Sequence, residues 1–350
     1  MDLYSPVNEP QRLYEWTGPL LEVDDVHLEF RTRHGVARAL NGVSYQVAAG
    51  ETLAILGESG SGKSVSAQAI MGLLETPPAY VTRGQIRYRG ENVLQLSGEE
   101  RRQLRGKEIS MIFQDALSAL NPVFPVGWQI AETLRVRRGL GRVEAANRAV
   151  ELMDLVRIPA ARQRLGDYPH QFSGGMRQRV MIAMALALDP PVLIADEPTT
   201  ALDVTVQAQI MGLLAEIQAE RNMALILITH DLGVIADVAD QIAVMYAGRI
   251  VEHADVHSLY AAPGHPYTKA LLESIPRVDL KGHRLTSIKG LPPSLLDIPS
   301  GCPFHPRCRY AREVCVEQVP DEHLLPGTRS SGRTSACHFA EEIVRLPAVS

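Results

Sequence analysis

The chain has 350 residues, 45% of them apolar and 21% charged, with a formal net charge of −5 at neutral pH. That length exceeds one ordinary domain and suits a domain of roughly 200–250 residues with an appendage; the composition is that of a globular protein able to bury a core. The acidic balance gives no reason to expect nucleic acid as a partner, which would call for a basic excess or patch.

In chain order, residues 1–20 are polar, contain Pro6, Pro10 and Pro19, and read as a loose extension. Asp2, Asn8 and Glu9 stand where a signal peptide would need positive charge and then an apolar run. Leu21–Phe30 and Val43–Val47 are strand-like, broken by a turn near His34 and Gly35. Thr52–Leu56 is a short apolar run ending in a glycine-rich loop, and a helical pattern follows over Ser64–Leu74. Gly84–Gly90 reads as a further hairpin, Arg101–Lys107 as a basic helical face, and Gly127–Ile158 as helices interrupted at Gly139 and Gly141. Beyond Gly174 a helix is expected to reach Leu188 and stop at Asp189, Pro190 and Pro191. Strand Val192–Ala195, helix Thr205–Glu220, strand Ala224–Thr229 and helix Leu232–Ala239 then alternate, the pattern of a mainly parallel sheet with helices on its faces. After a hairpin near Gly248, residues 259–350 are rich in Pro, Gly, His and Cys and read as a separate, loop-rich C-terminal domain. Apolar runs such as Met181–Leu188 fall far short of the roughly 20 residues that cross a bilayer. A cytoplasmic chain that reaches membranes only through partners is expected.

Gly57, Glu58, Ser59, Gly60, Ser61, Gly62, Lys63 and Ser64 match the P-loop pattern G-x-x-x-x-G-K-S, with Val65 following, after an apolar strand and before a helix. The glycines let successive backbone N–H groups face a phosphate, and the helix N-terminus adds partial positive charge. Lys63 is expected to hold the β- and γ-phosphates and Ser64 to place its hydroxyl on Mg²⁺. The chain has 30 Arg and 5 Lys among its 35 basic residues, so a lysine here is not drift, and an arginine fork would not fit the loop. Val192–Ala195 is an apolar strand that runs into adjacent carboxylates, Asp196 and Glu197. Asp196 suits Mg²⁺, and Glu197 suits the general base that polarises the attacking water.

These two motifs make a phosphate-hydrolysing fold without saying which one. Phe172, Ser173, Gly174, Gly175 and Met176, 23 positions from Ser173 to Asp196, resemble the signature sequence of ABC ATPases. Phe113, Gln114 and Asp115 resemble that family's Q-loop, Ala201, Leu202 and Asp203 its D-loop, and Thr229, His230 and Asp231 its switch-histidine loop. All stand in the family's order between Leu21 and about Leu259, so the resemblance spans residues 21–258. It implies a P-loop α/β fold of the ABC ATPase kind: a mainly parallel core sheet, an antiparallel β-subdomain, and a helical subdomain over Gln114–Gln171. It also implies that His230 holds the γ-phosphate and orients Glu197, and that Gln114 senses Mg²⁺ or water and couples to a membrane partner. Phe30 is the candidate for stacking on adenine, or else a core residue. Ser173, Gly174 and Gly175 opening a helix form a second phosphate-binding device; in a head-to-tail dimer it would serve the other subunit's ATP. Met176 departs from the glutamine commonest in the family and matches its peptide-transporter branch.

Pro263, Gly264, His265, Pro266 and Tyr267, with Pro276 after them, resemble the tail of oligopeptide, dipeptide and nickel importers, and Gly301, Cys302, Cys308, Ala311 and Cys315 continue the likeness. All four cysteines, Cys302, Cys308, Cys315 and Cys337, fall in this tail, with 5, 6 and 21 residues between them. In a reducing compartment they are not expected to form disulfides. Four thiolates are the number that closes a [4Fe–4S] cluster or a tetrahedral Zn²⁺ site. The family branch implies the iron–sulfur cluster, with zinc and four free thiols as alternatives. His305 and His338 lie nearby and read as surface or supporting residues.

The expectation is therefore an ATPase subunit that powers import of di- and oligopeptides. Its implied partners are two integral-membrane permeases, a second ATPase in a heterodimer, and an extracytoplasmic substrate-binding protein. It would work as a peripheral protein at the cytoplasmic face of the membrane. Nickel or glutathione import stays open, because cargo is chosen by other subunits. A non-transport ABC ATPase would need coiled-coil inserts or a second cassette, and the tail points the other way.

Overall fold

The computed structural model describes residues 16–115, 119–200, 202–274, 288–325 and 332–346. Most of the expected N-terminal extension, Ala201 of the D-loop-like segment and Pro276 of the tail lie outside them.

Two sheets organise the molecule. The first has four strands, β1 (Leu21–Thr32), β2 (Gly35–Val47), β4 (Ala79–Tyr88) and β5 (Glu91–Asn92), in the order β2-β1-β4-β5 with every pairing antiparallel. Burial along β1 falls on Leu21, Val23, Val26 and Leu28, the alternation of a half-covered strand, with its phase reset by irregularities between Val23 and His27. Between β2 and β4 come β3 (Thr52–Leu56) and α1 (Lys63–Met71) of the core. After β5 follow α2 (Gly98–Lys107), kinked at Arg105 and Gly106, and β6 (Ile109–Ile112), four buried residues that begin just past the basic stretch.

The second sheet carries the chemistry. Helices α3 (Val126–Arg138), α4 (Arg142–Leu155) and α5 (Ala161–Arg164) precede α6 (Gly174–Ala185). Then come β7 (Val192–Asp196), α7 (Val204–Arg221), β8 (Ala224–Thr229), α8 (Leu232–Ile235), β9 (Gln241–Tyr246) and β10 (Arg249–Asp255). The strands β9, β3, β8, β7 and β6 lie side by side and parallel, in that order. All residues of β3, β7 and β8 are buried, as parallel strands covered on both faces must be, which is why each reads as an unbroken apolar run. The loops bearing the motifs leave β3, β7 and β8 at their C-terminal ends, where open α/β sheets place ligands. Helices α3 and α4 pack around Ile130, Leu134, Leu152 and Met153. Helix α3 ends at Gly139 in the left-handed conformation, with Arg135, Arg137 and Arg138 in its last turn.

The C-terminal region joins the same sheet. After α9 (Val256–Ala261), α10 (Pro266–Glu273) and α11 (Glu313–Glu317), strands β11 (His323–Leu324) and β12 (Thr334–Ser335) extend it, β12 pairing antiparallel with β10 through Glu252 and Ser335, and α12 (Ala340–Val344) ends the described chain. The expected division at 258/259 thus falls inside α9. Glu252 pins this junction: its fully buried carboxylate accepts the backbone N–H of Gly264 (2.6 Å) and of His265 (2.9 Å), with Arg333 at 3.7 Å. Burial pushes its pKa up, against these donors and Arg333. Glu252→Ala, which orphans two buried N–H groups and a cation, is expected to cost about 3–5 kcal/mol, read as a lowered urea midpoint; an unchanged midpoint would refute the junction's role.

Candidate ATP-hydrolysis site

The loop from β3 into α1 is built to approach a phosphate. Gly62 sits at φ 107, and a Cβ there would stand 2.6 Å from the Ala39 carbonyl, so no side chain fits this turn. Gly57, Ser61 and Gly62 are buried while Ser59 and Gly60 are exposed. Among the described residues Ser61 Oγ is buried without a hydrogen-bond partner, the kind of polar orphan a bound anion satisfies. Lys63, 4% exposed, donates through Nζ to the carbonyls of Gly57 (2.7 Å) and Glu58 (3.0 Å). Burial pulls its pKa down, opposed by the carboxylates of Glu197, Asp196 and Glu58. Val65, the third residue of α1, is half-buried against the core.

β7 ends at Asp196, buried, whose carboxylate accepts the Ser64 hydroxyl at 3.0 Å. Burial raises its pKa and Glu197 adds to the rise, while Ser64 and Lys63 oppose it. Ser64 and Asp196 offer hard oxygen donors that suit Mg²⁺ and not a soft metal. Glu197 follows at φ 46, a left-handed conformation uncommon outside glycine, with its N–H on the Ile228 carbonyl at 2.8 Å. This turn releases its carboxylate from the strand's alternation. Three side chains meet it: Gln114 Nε2 donates at 2.8 Å, Thr200 Oγ1 donates at 3.0 Å, and His230 Nδ1 stands at 3.5 Å. Its side chain is 14% exposed and that of His230 is 61% exposed, so the cluster opens outward at the histidine. Lys63, Ser64, Gln114, Asp196, Glu197 and His230 are thus one constellation although 167 positions separate the first from the last.

Ser173 stands at the start of α6. Its Oγ caps α6 by accepting the Met176 N–H at 3.3 Å, and Ser173 and Gly174 are exposed. Gly175 is fixed by packing: a Cβ there would lie 2.6 Å from Val206 Cγ1. Asp203 caps α7 through the Val206 N–H at 2.9 Å. Phe30 is half-buried on β1 and packs against the core. Sequence reasoning missed Thr200, and it missed that the Tyr267 hydroxyl accepts the Glu58 N–H and that Arg307 donates to the Glu58 carboxylate, partners too far apart in sequence for a local signal.

The cysteines require a correction. Cys302, Cys308, Cys315 and Cys337 line one cavity of about 20 Å³, room for about one water. Among the described residues no group of three or more His, Cys, Asp or Glu side chains could hold a metal ion. The iron–sulfur expectation and its zinc alternative therefore fail. Burial pushes the Cys302 thiol up to about 11 and Cys337 to about 12, and raises Cys308. They behave as small apolar residues in the tail's core. His305 donates to the Cys302 carbonyl and His338 to the Gln318 carbonyl, each at 3.0 Å.

Residues 40–200 match the ABC transporter family, and residues 251–315 match the oligopeptide/dipeptide transporter C-terminal region. The oligopeptide transport ATP-binding protein OppD of Salmonella typhimurium is 50% identical over 308 residues, covering 88% of this chain and 91% of its own length. The dipeptide transport ATP-binding protein DppD of Bacillus subtilis is 49% identical over 323 residues, covering 92% and 95%. Among solved structures, a dimeric ATP-binding cassette in a post-hydrolysis state with ADP and Pi is 28% identical with a TM-score of 0.61, covering 67% of this chain and 98% of that one. The cbiO1 protein of Clostridium perfringens, part of the ABC transporter complex cbiONQ, is likewise 28% identical with a TM-score of 0.60, covering 69% and 91%. The chain therefore belongs to the ATP-hydrolysing subunits of ABC transporters, in the branch of oligopeptide and dipeptide transport ATP-binding proteins.

Proposed function

We propose that this subunit powers import of di- and oligopeptides, working as a peripheral protein at the cytoplasmic face of the membrane. It would sit on two integral-membrane permeases, beside a second ATPase, with an extracytoplasmic binding protein delivering the peptide. The observation that carries the reading is the meeting of Gln114, Thr200 and His230 on Glu197, beside the Ser64–Asp196 pair. Supporting the cargo assignment, the curated relatives are peptide transport proteins that this chain matches in both the cassette and the tail. Among the described residues no helix is long and apolar enough to cross a membrane, which fits a subunit that borrows its channel. The division into an extension over 1–20, a nucleotide-binding domain over 21–258 and a C-terminal domain over 259–350 is part of the same proposal.

In this reading Gly57 to Ser64 cradle the β- and γ-phosphates with backbone N–H groups and the start of α1, and Lys63 swings from the Gly57 and Glu58 carbonyls onto the phosphates. Ser64, Asp196 and Gln114 would hold Mg²⁺, which neutralises charge developing on the γ-phosphate. Glu197 accepts a proton from the attacking water; Gln114 and Thr200 aim its carboxylate, and His230 contacts the γ-phosphate while bracing the other oxygen. Ser173, Gly174 and Gly175 are exposed at a helix start and would close over the ATP of the other ATPase, so ATP binding joins two subunits and hydrolysis parts them. The dimeric state of the solved cassette with ADP and Pi supports this. Ser173→Arg is expected to abolish ATP-driven association while leaving nucleotide binding to the isolated chain intact, measured by sedimentation with the partner ATPase; unchanged association counts against the clasp. The function itself is tested by reconstituting the complex in vesicles and following ATP-dependent uptake of a labelled dipeptide. Uptake supports the reading; accumulation of nickel or glutathione in place of peptide overturns the cargo assignment.

A further inference from the structure

The second P-loop residue is gripped from the far end of the chain. Glu58 gives its backbone N–H to the Tyr267 hydroxyl at 2.9 Å, and its carboxylate receives both arms of Arg307, at 2.6 and 2.9 Å. Its carbonyl is one of the two that hold Lys63. Arg307 lies 249 residues downstream, and its side chain is 4% exposed. Its Nε donates to the Lys289 carbonyl at 3.1 Å and one Nη reaches the Tyr246 hydroxyl at 3.3 Å. Tyr246, Tyr267 and Phe304 form the aromatic wall around it, with ring centroids 4.6 to 5.3 Å apart. The turn that presents Arg307 is tied by Arg307 N–H to the Phe304 carbonyl (3.0 Å), Cys308 N–H to the His305 carbonyl (3.2 Å) and Cys302 N–H to the Cys315 carbonyl (2.8 Å).

A planar, bidentate, buried arginine fork is a fixed geometry and not a surface charge pair. The location gives it a task. A carboxylate at the second position of a phosphate-binding loop would repel the anion that loop exists to hold, and Glu58 is close enough for Lys63 to feel its charge. Arg307 cancels that charge, and Tyr267 sets the direction of the Glu58 peptide. We propose that Arg307 and Tyr267 are positioning residues through which the cysteine-bearing C-terminal domain braces the P-loop in its ATP-binding form. The domain is then part of the nucleotide site, coupling its own folded state to ATP affinity. This inference rests on the ATP-site reading above.

The test is a double-mutant cycle on the full-length chain, with MgATP affinity, turnover in the assembled complex and thermal melting as readouts. Arg307→Met is expected to weaken MgATP binding by about tenfold or more, the effect of leaving the partly buried Glu58 carboxylate without its buried partner, while turnover at saturating MgATP stays within about twofold of wild type. E58Q/R307M, which removes the stranded charge, is expected to recover affinity to within about threefold of wild type; a general packing defect would not be repaired this way. R307K, which keeps the charge and loses the fork, is expected to fall between the two and covers the case of a Met variant that melts early. Unchanged affinity in a folded R307M, or a double variant as weak as the single one, overturns the brace. A wild-type chain with no affinity for MgATP would instead overturn the nucleotide site itself.

Discussion

Glu197→Gln is expected to lower steady-state ATP turnover by about 10²–10⁴-fold, the range a positioned general base supplies, with MgATP binding retained. The amide keeps the shape and the contacts of the side chain but cannot take a proton from water. Glutamine at 197 would also meet two donors, the Gln114 amide and the Thr200 hydroxyl, that now point at a carboxylate oxygen at 2.8 and 3.0 Å. Both donate to the same oxygen, so the glutamine amide oxygen can accept both while its NH₂ takes the place of the oxygen facing His230. Burst and single-turnover kinetics separate the outcomes: normal ATP binding with a vanished chemical step supports the assignment, and unimpaired hydrolysis removes Glu197 from the role of base.

Lys63→Ala is expected to raise the dissociation constant for MgATP by about two decades, corresponding to roughly 3 kcal/mol. The ammonium is buried and surrounded by the Glu197, Asp196 and Glu58 carboxylates, which pull its pKa up while burial pulls it down. Without it the Asp196 and Glu197 carboxylates would face the phosphates with no lysine between them. Lys63→Arg should not restore binding, because a planar guanidinium cannot stand in for the compact, buried ammonium that donates to the Gly57 and Glu58 carbonyls at 2.7 and 3.0 Å. Direct nucleotide titration of the folded variants decides: affinity within threefold of wild type in either would refute the role given to Lys63.

How much of this was written in the sequence varies by element. The strands that hold the site, β3, β7 and β8, were legible because full burial on both faces forces unbroken apolar runs. The P-loop was legible because a backbone cradle demands glycines at set intervals. β6 was not: four residues directly after a basic helix give no periodicity to read. Helix α8 is shorter than expected, ending at Ile235, and Val238 and Ala239 beyond it pack against the core from a turn. Strands β11 and β12 have two residues each and exist only because β10 offers an edge. Clustered cysteines read as ligands, since spacing cannot reveal that the space between them holds about one water. The grip of Arg307 on Glu58 joins residues 249 positions apart and had no local trace at all.

The same limit governs the site. Each motif announced its own chemistry, but the hydrogen bonds from Gln114 and Thr200 to Glu197 depend on the left-handed turn at Glu197, which a carboxylate after a strand does not advertise.

The central claim is that ATP held by Lys63 and its loop is covered by Ser173 from a different subunit. A photo-crosslinking residue at position 173, in a Glu197→Gln chain assembled with its permeases and second ATPase, measures this directly. The account predicts that MgATP switches on a crosslink into the P-loop peptide of the other ATPase and that removing nucleotide switches it off. A crosslink that forms only within the same chain, or one indifferent to ATP, would contradict it.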